Sequence, residues 1–227
     1  MRYPYIAFHP EVTVYPVFPS LTGEPYILDL SSDSPLLALP EAQDQRIFQK
    51  ILDQEMSGYS WGLSSYLEDR RSLLGDCPQM VKEKRFYHLG LDVIVPAQTP
   101  LHAPLKATVY DSGYEEGKGN YGGYVTLLHH EVPGDPFYTV FGHLKKATLP
   151  ETGTALKAGE KFAETGEFDE NGGWFTHTHI QILTEKGMKK GMQFKGYCSE
   201  SMLKEIESLC PHPLALFTVT APEPLTR

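Results

Sequence analysis

His177-Thr178-His179-Ile180-Gln181-Ile182-Leu183 alternates polar and apolar side chains with a period of two. In an extended chain that spacing puts His177, His179 and Gln181 on one face and Thr178, Ile180 and Ile182 on the other. Such a strand backs a core with one side and offers two imidazoles with the other. Working outward, short runs of strand-forming residues recur at 91–97, 107–113, 123–130, 137–144 and 160–166. Gly119-Asn120, Gly134-Asp135 and Asn171-Gly172-Gly173 separate them as turns. Short strands at this spacing predict a mainly β fold, a compact antiparallel β-sandwich or flattened barrel over residues 84–185.

The flanks read differently. Residues 1–83 form an N-terminal extension whose first part is punctuated by Pro10, Pro16, Pro19, Pro25 and Pro35, giving short extended segments and loops. Ile47, Phe48, Ile51, Leu52 and Met56 recur at helical spacing and predict an amphipathic helix within 40–58. A second, shorter helix is expected within 62–74. Residues 186–227 form a tail with a short helix over 199–209 and proline-punctuated coil to Arg227.

Composition narrows the function classes. The 227 residues carry a formal net charge of −9, which argues against nucleic acid because phosphate binding draws on clustered Lys and Arg. The basic stretch 186–190 is short and reads as a solvated turn. Cys77, Cys198 and Cys210 are an odd number without CxxC spacing, so they predict neither a disulfide framework nor a thiolate zinc site. No stretch is apolar enough to span a membrane. The first twenty residues lack the apolar core of a signal peptide, which predicts a cytoplasmic location, or export if the start is a processed boundary.

The chemistry gathers in three places. In His88-Leu89-Gly90-Leu91-Asp92, alternation points the imidazole and the carboxylate the same way, with Gly90 leaving room between them. His177 and His179 form an HxH pair, and His143 follows the run 138–141. Catalytic zinc takes three protein ligands from His and Asp or Glu and keeps a fourth position open. His88, Asp92 and one histidine of the HxH pair supply that set, leaving the other histidines as base and electrophile. His130 ends a run and is a candidate for orienting a ligand or a water, with His129 facing the other way and exposed. Trp174 and Phe175 are candidates for walling a substrate groove, whereas His9, His102 and His212 read as incidental.

In order, HxxxD at His88–Asp92, the glycine-rich stretch 119–130, His143-Leu144 and the terminal HxH resemble the lysostaphin-type (LytM-like) zinc endopeptidases. The turns 96–100 and 158–160 fit that pattern too, and the likeness covers about the C-terminal half. The wider stretch, with Asn171-Gly172-Gly173-Trp174 before HxH, is similar to the version found as a module beside aminotransferase domains. Thr178, Ile180 and Phe141 stand where leucine, phenylalanine and tyrosine are usual.

The resemblance implies a compact antiparallel fold with a groove across a Zn2+ site. It makes His88, Asp92 and His179 the metal ligands, His177 the general base and His143 the other catalytic histidine. The implied activity is zinc-dependent hydrolysis of peptide bonds, peptidoglycan cross-links among them, or related amides. His143 is then expected to carry a hydrogen on the nitrogen facing the site and to stabilise the oxyanion. Two other readings stand beside it: a catalytically silent LytM-like binding or regulatory domain, and a cupin-like metal-dependent enzyme acting on small molecules. A substrate and an oligomeric state are not legible in these residues.

Overall fold

The computed structural model describes residues 12–132 and 134–216. The expectations for His9 and for the coil from 217 to Arg227 lie outside the described residues.

Among the described residues, twelve strands and three helices form in chain order. The strands are β1 (Tyr26–Leu28), β2 (Gly62–Ser64), β3 (Tyr87–His88), β4 (Leu91–Ile94), β5 (Pro100–His102), β6 (Ala107–Glu115), β7 (Gly122–His129), β8 (Phe137–Leu144), β9 (Ala155–Leu156), β10 (Lys161–Glu164), β11 (Thr178–Thr184) and β12 (Tyr197–Cys198). The helices are α1 (Gln45–Glu55), α2 (Pro78–Glu83) and α3 (Glu185–Lys189). Eight strands make one open sheet in the order β1-β2-β4-β11-β8-β7-β6-β9, antiparallel except where β1 joins β2. β5 pairs with β10, and β3 with β12, as separate ribbons. The mainly β expectation therefore holds, with the sheet left open rather than closed into a barrel. Among the described residues no helix is long and apolar enough to cross a membrane.

Alternation places the two sides of the sheet. Val93, Val125, Leu127, Phe141 and Ile180 turn to one face and pack with Phe18, Trp61, Leu101 and Phe162. The opposite face of the central strands carries Asp92, His179 and Gln181, so β11 is buried along its whole length. That second face is covered by the flanks: α1 and its neighbours on one side, and the chain around Met192, Cys198 and Ile206 on the other.

α1 is the helix expected within 40–58. Asp44 caps it by accepting from the N–H groups of Arg46 and Ile47, and Phe48 and Leu52 are fully buried on its inner face. Burying each such side chain contributes about 1.5–3 kcal/mol. The second expected helix does not form. Residues 62–64 are instead strand β2, because pairing with β4 (Gly62 opposite Ile94, Leu63 opposite Val93) outweighs a weak local helical pattern. The expected helix over 199–209 is reduced to two 3-10 turns, Glu200–Met202 and Ile206–Ser208. There the carbonyls of Ser208 and Leu209 accept from Thr184 at the end of β11, and this tie holds the chain in tight i→i+3 turns. The basic stretch 186–190 lies in and just after α3, whose first turn is capped by the Thr184 hydroxyl.

Candidate metal centre

The pairing of β4 with β11 sets Asp92 directly opposite His179. His88 arrives from β3, one bend earlier. Gly90 makes that bend possible: a Cβ there would sit 2.4 Å from His179 Cε1 and 2.6 Å from the Ile180 carbonyl. The His179 ring thus lies against bare backbone. The result is a buried triangle in which His88 Nε2 is 3.0 Å from His179 Nδ1 and 3.2 Å from Asp92 Oδ1. The third edge, His179 Nδ1 to Asp92 Oδ1, is 3.1 Å.

The hydrogens decide what this triangle is for. His88 Nδ1 donates to the Ser65 carbonyl at 2.9 Å, which leaves Nε2 of the neutral ring as a lone pair. His179 Nε2 donates to Gln181 Oε1 at 3.1 Å, which leaves its Nδ1 as a lone pair. Burial holds the His88 imidazole down to about 4, so it is neutral at ordinary pH. Burial works to raise the Asp92 carboxyl, but the neighbouring imidazoles and Arg70 bring it well below the usual carboxylate range. Of those neighbours Arg70 carries a permanent charge. Three acceptors therefore face one another with no proton between them, an arrangement that a cation relieves. With Zn–N bonds of about 2.0–2.1 Å, adjacent ligands in a tetrahedral site stand about 3.3 Å apart. The observed edges fit such an ion, and the donor set of two imidazoles and one carboxylate suits zinc.

Asp92 is fixed from behind. Its Oδ2 accepts from Arg70 Nη1 at 2.5 Å and from the Ser64 hydroxyl at 3.2 Å. Arg70 is itself engaged through all three nitrogens, giving Nε to Glu68 at 2.8 Å and Nη2 to Ser64 at 2.7 Å. Ser64, Ser65, Glu68 and Arg70 all come from the N-terminal extension, which thereby builds one wall of the centre.

His177 and His143 lie beside the triangle. His177 Nδ1 donates to the Phe175 carbonyl at 2.8 Å, and its Nε2 is 3.6 Å from Asp92 Oδ1. His143 is the extra residue of a β-bulge: Tyr124 pairs with Gly142 while Gly123 pairs with Leu144. Strict alternation would turn His143 away from the site, and its left-handed φ of 65° brings it back. The His143 and His177 rings are 4.3 Å apart at their centroids. Burial lowers both groups, His177 to about 4 and His143 well below its usual value.

One expectation changes here. His143 Nδ1 donates to the Asn171 carbonyl at 2.7 Å, so neutral His143 presents a lone pair at Nε2 rather than a hydrogen. It can donate toward the site only after it has taken up a proton.

The other sequence candidates divide. Trp174 lines the cavity of about 220 Å³ that opens onto Asp92, His143, His177 and His179. Phe175 does not line it; it stacks behind His177 and meets Phe48 of α1 in the core. His130 is exposed beside Glu131, and His129 is the buried member of the pair. By alternation His130 does share the site's face. However, it lies six residues beyond Tyr124, about 20 Å along the strand. The face holding His129 is core, where His129 Nδ1 donates to the Lys106 carbonyl and its Nε2 accepts from the Thr139 hydroxyl. Arg70, Gln181 and the Ser65 and Asn171 carbonyls were not legible as site components. Only Gln181 left a signal, through its place on the His177–His179 face.

Residues 86–191, which include all five histidine and aspartate positions, match the family model of Peptidase family M23. A curated relative from Haemophilus influenzae, described as an uncharacterized metalloprotease, is 35% identical over 95 residues, 42% of this chain and 18% of that protein. The chain thus spans less than a fifth of that relative. Among solved structures, a zinc containing peptidase from Vibrio cholerae is 24% identical over 44% of this chain and 28% of its own, with a TM-score of 0.34. The catalytic domain of lysostaphin from Staphylococcus simulans is 18% identical over 57% of this chain and 77% of its own, with a TM-score of 0.39.

Proposed function

We propose, from the match of residues 86–191 to the family model of Peptidase family M23, that this chain is a zinc-dependent metallopeptidase hydrolysing peptide or related amide bonds. Peptidoglycan cross-links are a candidate substrate. The observation that supports the reading most directly is the convergence of three bare electron pairs, from His88 Nε2, Asp92 Oδ1 and His179 Nδ1, within 3.2 Å of one another.

Zinc held by these side chains would supply Lewis acidity to water and to the scissile carbonyl. His177, with Nδ1 tied to Phe175, offers its Nε2 lone pair to the proton of the attacking water. His143, 4.3 Å away between ring centroids, is near enough to share that proton. In its protonated form it stabilises a developing oxyanion or returns the proton to the leaving amine. The carbonyls of Phe175 and Asn171 fix both ring orientations, and Arg70 with Ser64 keeps Asp92 turned toward the metal.

Purified protein, analysed for bound metal and incubated with a peptide pool, tests the reading. About one zinc per chain is expected, with cleavage lost on chelation and restored by zinc. A fully zinc-loaded chain that cleaves no peptide or amide in the pool overturns it.

A further inference from the structure

The cavity over the metal centre holds a cation for which the hydrolytic reading has no use. Arg85 lines it together with Asp92, His143, His177 and His179. α2 ends at Lys84, whose left-handed φ of 53° reverses the chain, and Arg85 N–H then returns to the Met80 carbonyl. That reversal turns the Arg85 side chain inward until the residue is only 8% exposed.

Its partners are incomplete. Nε donates to Glu83 Oε2 at 2.8 Å, but Nη1 is enclosed and meets no acceptor among the described residues. The contrast with the other buried arginine is informative, since Arg70 places Nε, Nη1 and Nη2 on Glu68, Asp92 and Ser64. A buried donor left unsatisfied is costly, and native structures seldom keep one without a use. Of the described residues lining the cavity, Arg85 is the one with a permanent positive charge. Glu115 lines it too and lies within electrostatic reach of Arg85, but the Arg85 ion pair runs to Glu83.

We propose that Arg85 receives a carboxylate of the substrate, so that preferred substrates carry a free carboxylate within one or two residues of the scissile amide. The inference rests on the hydrolytic reading for the word substrate and on Arg85 alone for the carboxylate. A planar guanidinium edge matches a carboxylate with two parallel hydrogen bonds. Size agrees: at about 220 Å³ the cavity falls below the roughly 300–1,000 Å³ of drug-sized ligand sites, which limits the recognised portion to a residue or two. The carboxylate can be the α-carboxylate that ends a peptide or an acidic side chain beside the cleaved bond.

Calorimetry with three probes on the zinc-loaded chain separates these cases. The probes are N-acetyl-glycyl-glycine, its C-terminal amide, and N-acetyl-aspartic acid α-amide. At least one carboxylate probe is expected to bind about tenfold or more tightly than the neutral amide, and which one does so names the source. Arg85→Gln is expected to abolish that preference while leaving zinc content unchanged. Should that variant fail to fold, Arg85→Lys, which keeps the charge and loses the fork, is expected to reduce the preference several-fold. Equal binding of charged and neutral probes to the wild-type chain overturns the inference without recourse to any variant, as does a preference that survives in folded Arg85→Gln. A parallel digest of peptide acids and their amides distinguishes the two readings. Equal zinc-dependent cleavage of both sinks the carboxylate site and leaves the peptidase standing, whereas carboxylate binding without any cleavage does the reverse.

Discussion

Arg70 Nη1 meets Asp92 Oδ2 at 2.5 Å, on the side of the carboxylate opposite the oxygen that faces His88 and His179. One residue of the N-terminal extension thereby decides which oxygen of the candidate ligand is free. Occupying Oδ2 leaves Asp92 a single oxygen for the ion and keeps the carboxylate from rotating. Groups that orient a ligand from behind typically change metal affinity by 10–100-fold. Arg70→Lys retains the charge but loses the fork, and is expected to weaken zinc binding by about tenfold in a chelator competition. Arg70→Met leaves Asp92 and Glu68 buried without their cation and should cost about 3–5 kcal/mol in unfolding free energy. Wild-type zinc affinity in folded Arg70→Lys would show that the clamp is only structural.

His143 and Asp92 are expected to fail in different ways. His143 is held by Asn171 and touches the metal triangle only through its neighbours, with its ring 6.3 Å from that of His179. His143→Ala should therefore leave zinc content intact and slow turnover by about a hundredfold or more. Asp92→Ala removes one corner of the triangle and should lower zinc content first, with activity following it. Full occupancy and full activity in Asp92→Ala would dismantle the ligand assignment.

Alternation along β11 and the HxxxD spacing were enough to mark His88, Asp92, His177 and His179 as candidates for one site, although His88 lies in the separate β3–β12 ribbon and reaches the site through the bend at Gly90 rather than by alternation. His143 shows the limit of that logic. Its position depends on one extra residue in β8 opposite Gly123-Tyr124 and on a φ of 65°, neither of which alternation can reveal. His129 and His130 show a second limit: face is local, but burial depends on what covers the face, and level along the strand depends on register. Arg70 and Arg85 were illegible for a third reason. Their meaning lies in partners and cavity walls that only the folded chain brings near, and the helix expected over 62–74 hid the segment carrying Arg70.

Gly90 offers a steric test that leaves ligand chemistry untouched. An alanine Cβ would stand 2.4 Å from His179 Cε1 and 2.7 Å from His179 Nε2, so the ring has to move. Neighbouring backbone, at 2.6 Å from the same Cβ, blocks the alternative of shifting the chain aside. Gly90→Ala is expected to fold with a lowered melting temperature and to lose zinc, although all three ligands remain. Undiminished zinc content by mass spectrometry would mean that the ring has another place to sit.

His129 gives a pH dependence that is independent of the metal. Burial lowers its imidazole to about 4, from an ordinary value near 6.5. Between those values the unfolded chain binds a proton that the folded chain refuses, so stability rises with pH across that window. The contribution is fully present above about pH 6.5 and is lost progressively as the pH falls toward 4. Since His129 bonds the Lys106 carbonyl and the Thr139 hydroxyl while neutral, protonation also forces a charge into the stack with Phe137. His129→Gln removes the titrating group and keeps a side chain able to hydrogen-bond at both ends. Denaturant midpoints for wild type and variant should therefore diverge with different slopes between pH 4 and 6.5 and run parallel above pH 7. Parallel curves throughout would mean that His129 titrates alike in the folded and unfolded chains, and that its burial confers no proton linkage.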